Sequence, residues 1–223
     1  MRKVTCAIHQ PQYLPWLGYF DKIQRSDFFV LLDDVQYKKS EWQNRNKIKT
    51  HQGWQWLTVP VHYTFGQKIN EVLINNNTNW CEKHYRTLVT NYSTAPYFND
   101  YKDFFKEVYN KRWKYLCELN IYLIRNLATF LGIKTELVKS SELQVNEQKT
   151  DRLVHICKKL QANVYLSGDG AREYLDLSLF ANEKIRVVFQ DFKHPVYSQV
   201  KCDGNFQPNM SMIDLLFNCG RIL

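Results

Sequence analysis

The sequence predicts an α/β fold, Rossmann-like, with a mainly parallel sheet, flanking helices and a mostly helical insertion over residues 76–131. Short apolar runs alternate with amphipathic stretches at both ends of the chain, whereas the middle reads as successive helices. The first strand, helix and second strand fit within about 30 residues, the length of a right-handed crossover unit. With 223 residues, 44% of them hydrophobic, the chain has the length of one large domain. No internal repeat or Ser/Gly linker marks a boundary, so a single α/β domain over 1–223 is expected.

Residues 4–8 form a short apolar run suited to a strand buried on both faces. A loop over 9–15 follows, stiffened by Pro11 and Pro15, and then an amphipathic helix over 17–24. Residues 28–32 read as a second strand closing on Asp33-Asp34, and 54–61 and 69–74 as further strands. From Thr78 the pattern is helical to Leu131, with breaks at 93–96 and near Asn110. The arc Leu116, Leu119, Leu123, Leu127 and Leu131 predicts packing against the sheet, and Gly132 suits a left-handed residue after a helix. Alternation then resumes: strand 133–138, helix 150–160, strand 163–166, the turn Ser167-Gly168-Asp169-Gly170 into another helix, and strand 185–189. A final helix over 211–218 starts at Ser211 and stops before Gly220.

A mean hydropathy of −0.48 and the lack of any long uncharged apolar run exclude a membrane-spanning helix. Met1-Arg2-Lys3 runs directly into a short apolar stretch, which is no signal segment, so the expected location is cytoplasmic. Cys6, Cys81, Cys117, Cys157, Cys202 and Cys219 lie far apart, as expected of reduced, mostly buried thiols. The net charge of +8 favours anionic partners. Its densest cations are Lys38, Lys39, Arg45, Lys47 and Lys49.

Ligands of open parallel sheets bind beyond the carboxyl ends of the strands. Three groups of residues fall there. After the first strand, His9, Gln12, Tyr13 and Trp16 combine hydrogen-bonding and stacking groups on a rigid loop. After the second come Asp33-Asp34 and the segment Asn44-Arg45-Asn46-Lys47. Only one of the adjacent carboxylates can face a given site, Asp34 is the candidate base, and Arg45 offers a fork for phosphate. The third is Ser167-Gly168 with Arg172, where a helix N-terminus could receive an anion, Asp169 otherwise serving as a helix cap. His62, His84, His155 and His194 have no partner at metal-ligand spacing, so no metal site is expected.

The runs Ile8-His9-Gln10-Pro11-Gln12-Tyr13-Leu14-Pro15-Trp16-Leu17-Gly18-Tyr19-Phe20, Leu32-Asp33-Asp34-Val35-Gln36-Tyr37 and Trp42-Gln43-Asn44-Arg45-Asn46 resemble the WbqC-like proteins. Ser167-Gly168-Asp169-Gly170-Ala171-Arg172-Glu173-Tyr174-Leu175 and Ser211-Met212-Ile213-Asp214-Leu215-Leu216-Phe217-Asn218 fit the same family, so the resemblance spans essentially the whole chain. It implies work on nucleotide-linked or lipid-linked sugars in bacterial O-antigen, lipopolysaccharide or other surface-polysaccharide assembly, and brings no established catalytic set. The first strand-loop-helix-strand unit also resembles the nucleotidylyltransferase and pantothenate synthetase superfamily. Trp16 and Tyr19 stand where that superfamily's two histidines would be, so this similarity concerns the fold and not the reaction.

The function expected from these readings is transfer of an acyl or aminoacyl group to the amine of a nucleotide-linked amino sugar. His9 or Asp34 would act as base, Arg45 and Lys47 would hold phosphates, and Tyr13 and Trp16 would stack on base or sugar. Acyl-CoA, ATP with an amino acid, or aminoacyl-tRNA are the candidate donors. The alternative is a non-catalytic sugar-nucleotide binding or scaffold protein of the same pathway. DNA or RNA binding ranks behind both, because Trp42, Trp54 and Trp56 interleave with the cations but no nucleic-acid motif accompanies them. The apolar segment 210–223 could pack inside the domain or against a second copy.

Overall fold

The computed structural model describes residues 3–200 and 205–221. Cys202 and the last two residues of the 210–223 segment lie outside them. In chain order the elements are β1 (Thr5–His9), α1 (Leu17–Gln24), β2 (Phe28–Leu31), β3 (Arg45–Thr50), β4 (Gly53–Thr58), β5 (Val61–His62) and β6 (Leu73–Ile74). The helices α2 (Trp80–Tyr92), α3 (Phe98–Asn110) and α4 (Leu116–Phe130) follow. Then come β7 (Glu136–Lys139), α5 (Lys149–Lys159), β8 (Val164–Ser167), α6 (Leu177–Asn182), β9 (Arg186–Phe189) and α7 (Met212–Cys219).

Five strands form one sheet in the order β7-β2-β1-β8-β9, every neighbour pair parallel. Numbered along the chain these strands read 3-2-1-4-5, the doubly wound order whose topological switch point lies between β1 and β8. The sheet is covered on both faces, which explains the apolar run Cys6-Ala7-Ile8 at the middle of β1. Ala7, Phe29 and Leu31 join Tyr19 and Phe20 of α1, Leu119 and Leu123 of α4, and Phe217 of α7 in one core. Cys6, Ile8 and Val30 join Val154 and Cys157 of α5 and Phe180 of α6 in the other. The leucine arc of α4 thus packs as its periodicity predicts. Met212, Ile213, Leu215, Leu216 and Phe217 are all buried, so the described part of the C-terminal segment packs into the domain's own core.

Four local readings change. Residues 45–50 form a strand, β3, paired antiparallel with β4 in a separate hairpin. The strand expected over 54–61 is interrupted at Pro60, which has no N–H for a ladder, giving β4 and the two-residue β5. Residues 69–71 make a turn of 3₁₀ helix before the short β6. After Ser167 the chain makes only a 3₁₀ turn, and α6 begins at Leu177, capped by the carboxylate of Asp176 accepting from Ser178 N–H. Asp169 is therefore no helix cap, since its carboxylate takes the Arg172 guanidinium and the Asp191 N–H instead. Gly132, at φ +72°, and Gly220, at φ +71°, are the left-handed residues after α4 and α7.

Candidate functional site

The site follows from where β1 and β8 part. Their last register pair is Ala7 with Leu166. The His9 carbonyl accepts from Leu32 N–H on the β2 side, so the alternate peptide group of Ile8 faces β8 and the crevice. A cleft of about 700 Å³ opens there, with His9, Tyr19 and Lys22 on the β1 side and Tyr165, Ser167 and Gly168 on the β8 side. A second compartment of about 430 Å³ is lined by His9, Gln12, Trp16, Trp42, Lys47 and Asn209. His9, Trp16 and Trp42 line both, so His9 stands at their junction.

The His9 ring packs 5.0 Å from the Tyr19 ring. Its Nε2 accepts from Gln12 Nε2 over a long 3.5 Å, and Nδ1 has no partner among the described residues. Burial first, and then the charge of Lys22, hold its pKa well below the ordinary 6.5. The imidazole is therefore neutral at pH 7 and able to take a proton. Gln12 is buried with its own Oε1 unpartnered.

The hairpin supplies the other wall. Trp42 packs at a tilt 5.4 Å from Trp56, which lies edge-on 5.6 Å from Trp54. The Arg45 guanidinium sits 4.3 Å over Trp56 and the Lys47 ammonium 4.0 Å over Trp54. Trp42 and Trp54 remain 38% and 43% exposed, making a cationic aromatic row continuous with the Lys47 compartment. Asn44 and Asn46, both buried, serve the backbone: Asn44 Nδ2 donates to the Val59 carbonyl and Asn46 Nδ2 to that of Leu14. They fasten the hairpin to β5's approach and to the 9–15 loop, and so place the site's walls without facing them.

Of the remaining candidates, Tyr13, Asp34 and Arg172 lie apart. Tyr13 is fully buried, its hydroxyl bonded to Tyr109 at 2.6 Å and to His84 Nδ1 at 2.9 Å, so it anchors the loop to α2 and α3 and does not reach the cleft. His84, pushed down to about 4 by burial, is an ordinary hydrogen-bonded core histidine. Asp34 lies beyond the end of β2, pairs with Arg152 of α5 and lines neither compartment; Ser140 donates to it and to Asp33 alike, so the two adjacent carboxylates meet one serine. Arg152 Nη2 donates to both Asp34 oxygens, at 2.7 and 2.6 Å, and Ser140 to one. Burial raises the Asp34 carboxyl, but those hydrogen bonds and the Arg152 charge outweigh it and hold it below 3.8. Ser167 and Gly168 line the cleft, while Arg172 is exposed, paired with Asp169 and stacked 4.0 Å over Phe189. Among the described residues no group of three or more His, Cys, Asp or Glu is arranged to hold a metal.

The residue missed from the sequence is Lys22. It is only 3% exposed, and its ammonium donates to the Ile8 carbonyl at 2.9 Å, inside the crevice. The one signal available was its position a turn beyond Gly18 and Tyr19, on the inward face of α1. Gly18 has its own task. A methyl group there would lie 2.4 Å from the Trp16 indole, so the ring folds directly over the glycine. Gly18→Ala is expected to keep the helix, which Ala favours over Gly, and to swing Trp16 out. A shifted Trp16 indole N–H resonance in two-dimensional NMR would register this, and an unmoved one would refute it.

A model of the WbqC-like protein family matches residues 10–222 of the chain. The chain belongs to the WbqC-like protein family. This WbqC-like protein is 42% identical over 224 residues to a Mycobacterium tuberculosis protein described as uncharacterized protein Rv1507c, covering 99% of this chain and 95% of that one. No solved structure matches it significantly. No helix among the described residues of this WbqC-like protein is long and apolar enough to cross a membrane.

Proposed function

We propose that the protein is a transferase of polysaccharide assembly that moves an acyl or aminoacyl group onto the amine of a nucleotide-linked amino sugar. The supporting observation is the neutral His9, with its weakly held Nε2, at the junction of two compartments. Membership of the WbqC-like family supports a polysaccharide-related role. In this reading the amino sugar enters the Lys47 compartment, its diphosphate meeting Lys47 and Arg45 and its rings meeting Trp16 and Trp42. The amine attacks the donor's carbonyl carbon, its proton passes to His9 Nε2, and collapse of the tetrahedral adduct expels the donor's leaving group, which takes that proton back. His9 is the better base than Asp34, whose carboxylate is committed to Arg152.

Incubating the protein with nucleotide-linked amino sugars and acyl-CoA, ATP with amino acids, or aminoacyl-tRNA tests this by product mass. His9→Ala is expected to lose the product while still binding the nucleotide-sugar. Absence of product with every donor, together with an unchanged cellular glycan in His9→Ala, would sink the proposal. The exposed tryptophan row favours a second reading, a non-catalytic sugar-nucleotide binding protein, and for that His9→Ala should alter binding alone.

A further inference from the structure

Lys22 is unexplained by packing. An ammonium loses its hydration on burial and is ordinarily paired when it lies so deep. Here one hydrogen bond, to the Ile8 carbonyl, is its only one among the described residues, and the ammonium has three donors to satisfy. The groups that touch it electrostatically are Cys6 and His9, with no carboxylate between them. The Ile8 peptide faces the side where β1 and β8 separate, so the ammonium bonded to it lies at the switch-point crevice, which Lys22 lines. Across from it, Gly168 and Gly170 line the same cleft, and a Cβ added to either would meet nothing within 4 Å. Bare backbone beside empty space admits close approach of a bulky oxyanion. Of the carboxylates lining the cleft, Asp169 is already satisfied by Arg172 and Asp191, and Glu41 is exposed.

We propose that Lys22 seats a phosphate group of the acyl donor, so that the switch-point cleft takes a phosphate-bearing donor and the Lys47 compartment takes the acceptor. Naming this ligand the donor rests on the reading of the preceding subsection, while the phosphate seat rests on Lys22 and the crevice. A phosphate there supplies the counter-charge that the described residues do not. The two compartments then deliver their ligands to opposite sides of His9, the arrangement a direct two-substrate transfer needs.

Calorimetric titration of the full chain with pyrophosphate, ATP and CoA tests the seat. At least one probe is expected to bind saturably. Lys22→Met should weaken it tenfold or more, whereas Lys106→Ala, on the exposed side of α3, should leave it within twofold. Preference for ATP over CoA would mark an adenylate donor, the reverse preference a thioester donor, and equal binding of all probes a seat that reads the phosphate alone. Binding by none of the three, or binding that Lys22→Met leaves unchanged, overturns the proposal. A thermal melt checks that Lys22→Met is folded. If it is not, protection of wild-type Lys22 from reductive methylation by the bound probe, read by peptide mass spectrometry, decides the matter, and no protection overturns the seat. Probe binding through Lys22 without any transfer product would leave the seat standing and remove the transferase reading. Product formation indifferent to Lys22 would do the opposite.

Discussion

Lys22→Met is expected to stabilise the protein at pH 7, on the order of 3 kcal/mol, even though it removes a hydrogen bond. Burial, opposed only weakly by Cys6, lowers the Lys22 pKa from 10.5 to about 8, and each pKa unit is worth about 1.4 kcal/mol. Because the folded pKa lies below the unfolded one, the unfolded chain binds the extra proton between pH 8 and 10.5, and the Lys22 penalty fades through that window. Below about 8 the ammonium is charged in both states and the full penalty applies. The neighbours facing it are common to both proteins, so their own titrations drop out of the comparison. Burial leaves His9 neutral, and the Cys6 thiol and Tyr19 phenol are both held well above their usual values, Cys6 by a hydrogen bond with Cys157 and by burial, Tyr19 by burial. Methionine fills similar volume without the charge. Urea denaturation of both proteins at pH 7 and at pH 10 checks this: the variant's advantage should shrink at the higher pH. A variant less stable than wild type at pH 7 would mean that the Ile8 hydrogen bond outweighs burial, leaving a plain structural lysine. A charge retained at a cost to stability is the pattern expected where binding needs it.

What the sequence could and could not reveal follows from how each residue is used. The β1-α1-β2 unit was legible because strands covered on both faces carry unbroken apolar runs, Cys6-Ala7-Ile8 in β1 and all of β2, and α1 carries a clear apolar arc. His9, Gln12 and Trp16 stood out in the sequence because they follow directly on a strand end, where polar side chains have little packing value, and they line the candidate compartments. The strand β3 was hidden. Arg-Asn-Lys-Ile-Lys-Thr reads as a solvated basic stretch, yet Asn46 is buried to bond loop carbonyls and the cations are covered by tryptophans of β4, contacts that pattern alone does not encode. Tyr13 looked like a stacking residue, but its partners, His84 and Tyr109, come from helices far along the chain. Lys22 belongs to no motif, and only the switch-point geometry gives it meaning. Asp214 likewise has no local signal, because its partners are 15 to 122 residues away.

Asp214→Ala is expected to cost about 3–5 kcal/mol, the range for breaking a buried charged network by removing one partner. Asp214 is completely buried on α7. Tyr92 of α2 donates to its Oδ1, and Tyr197 and Gln199 donate to Oδ2, each at 2.7 Å. Burial raises the carboxyl above its ordinary value, and these three hydrogen bonds pull it partway back. Alanine leaves all three donors without their acceptor, and unpaired buried donors are costlier than the bonds themselves. Asp214→Asn should cost less, because the tyrosine hydroxyls can turn to accept from the amide. Tyr92→Phe, removing one donor, should cost about 1–2 kcal/mol, and the double variant less than the sum, since both act on one network. Urea titrations with an unchanged m-value would give these differences, and a loss under about 1 kcal/mol for Asp214→Ala would show that the network is dispensable. The network also bears on the site. Tyr92 Oη accepts from Lys49 N–H of β3, and Ser211 N–H at the start of α7 donates to the Lys47 carbonyl. Loosening α7 therefore loosens the strand that carries Lys47, so nucleotide-sugar affinity should fall along with stability. If Asp214→Ala loses stability yet keeps that affinity, the β3-β4 ladder alone positions Lys47, and the wall of the acceptor compartment is independent of the core beneath it.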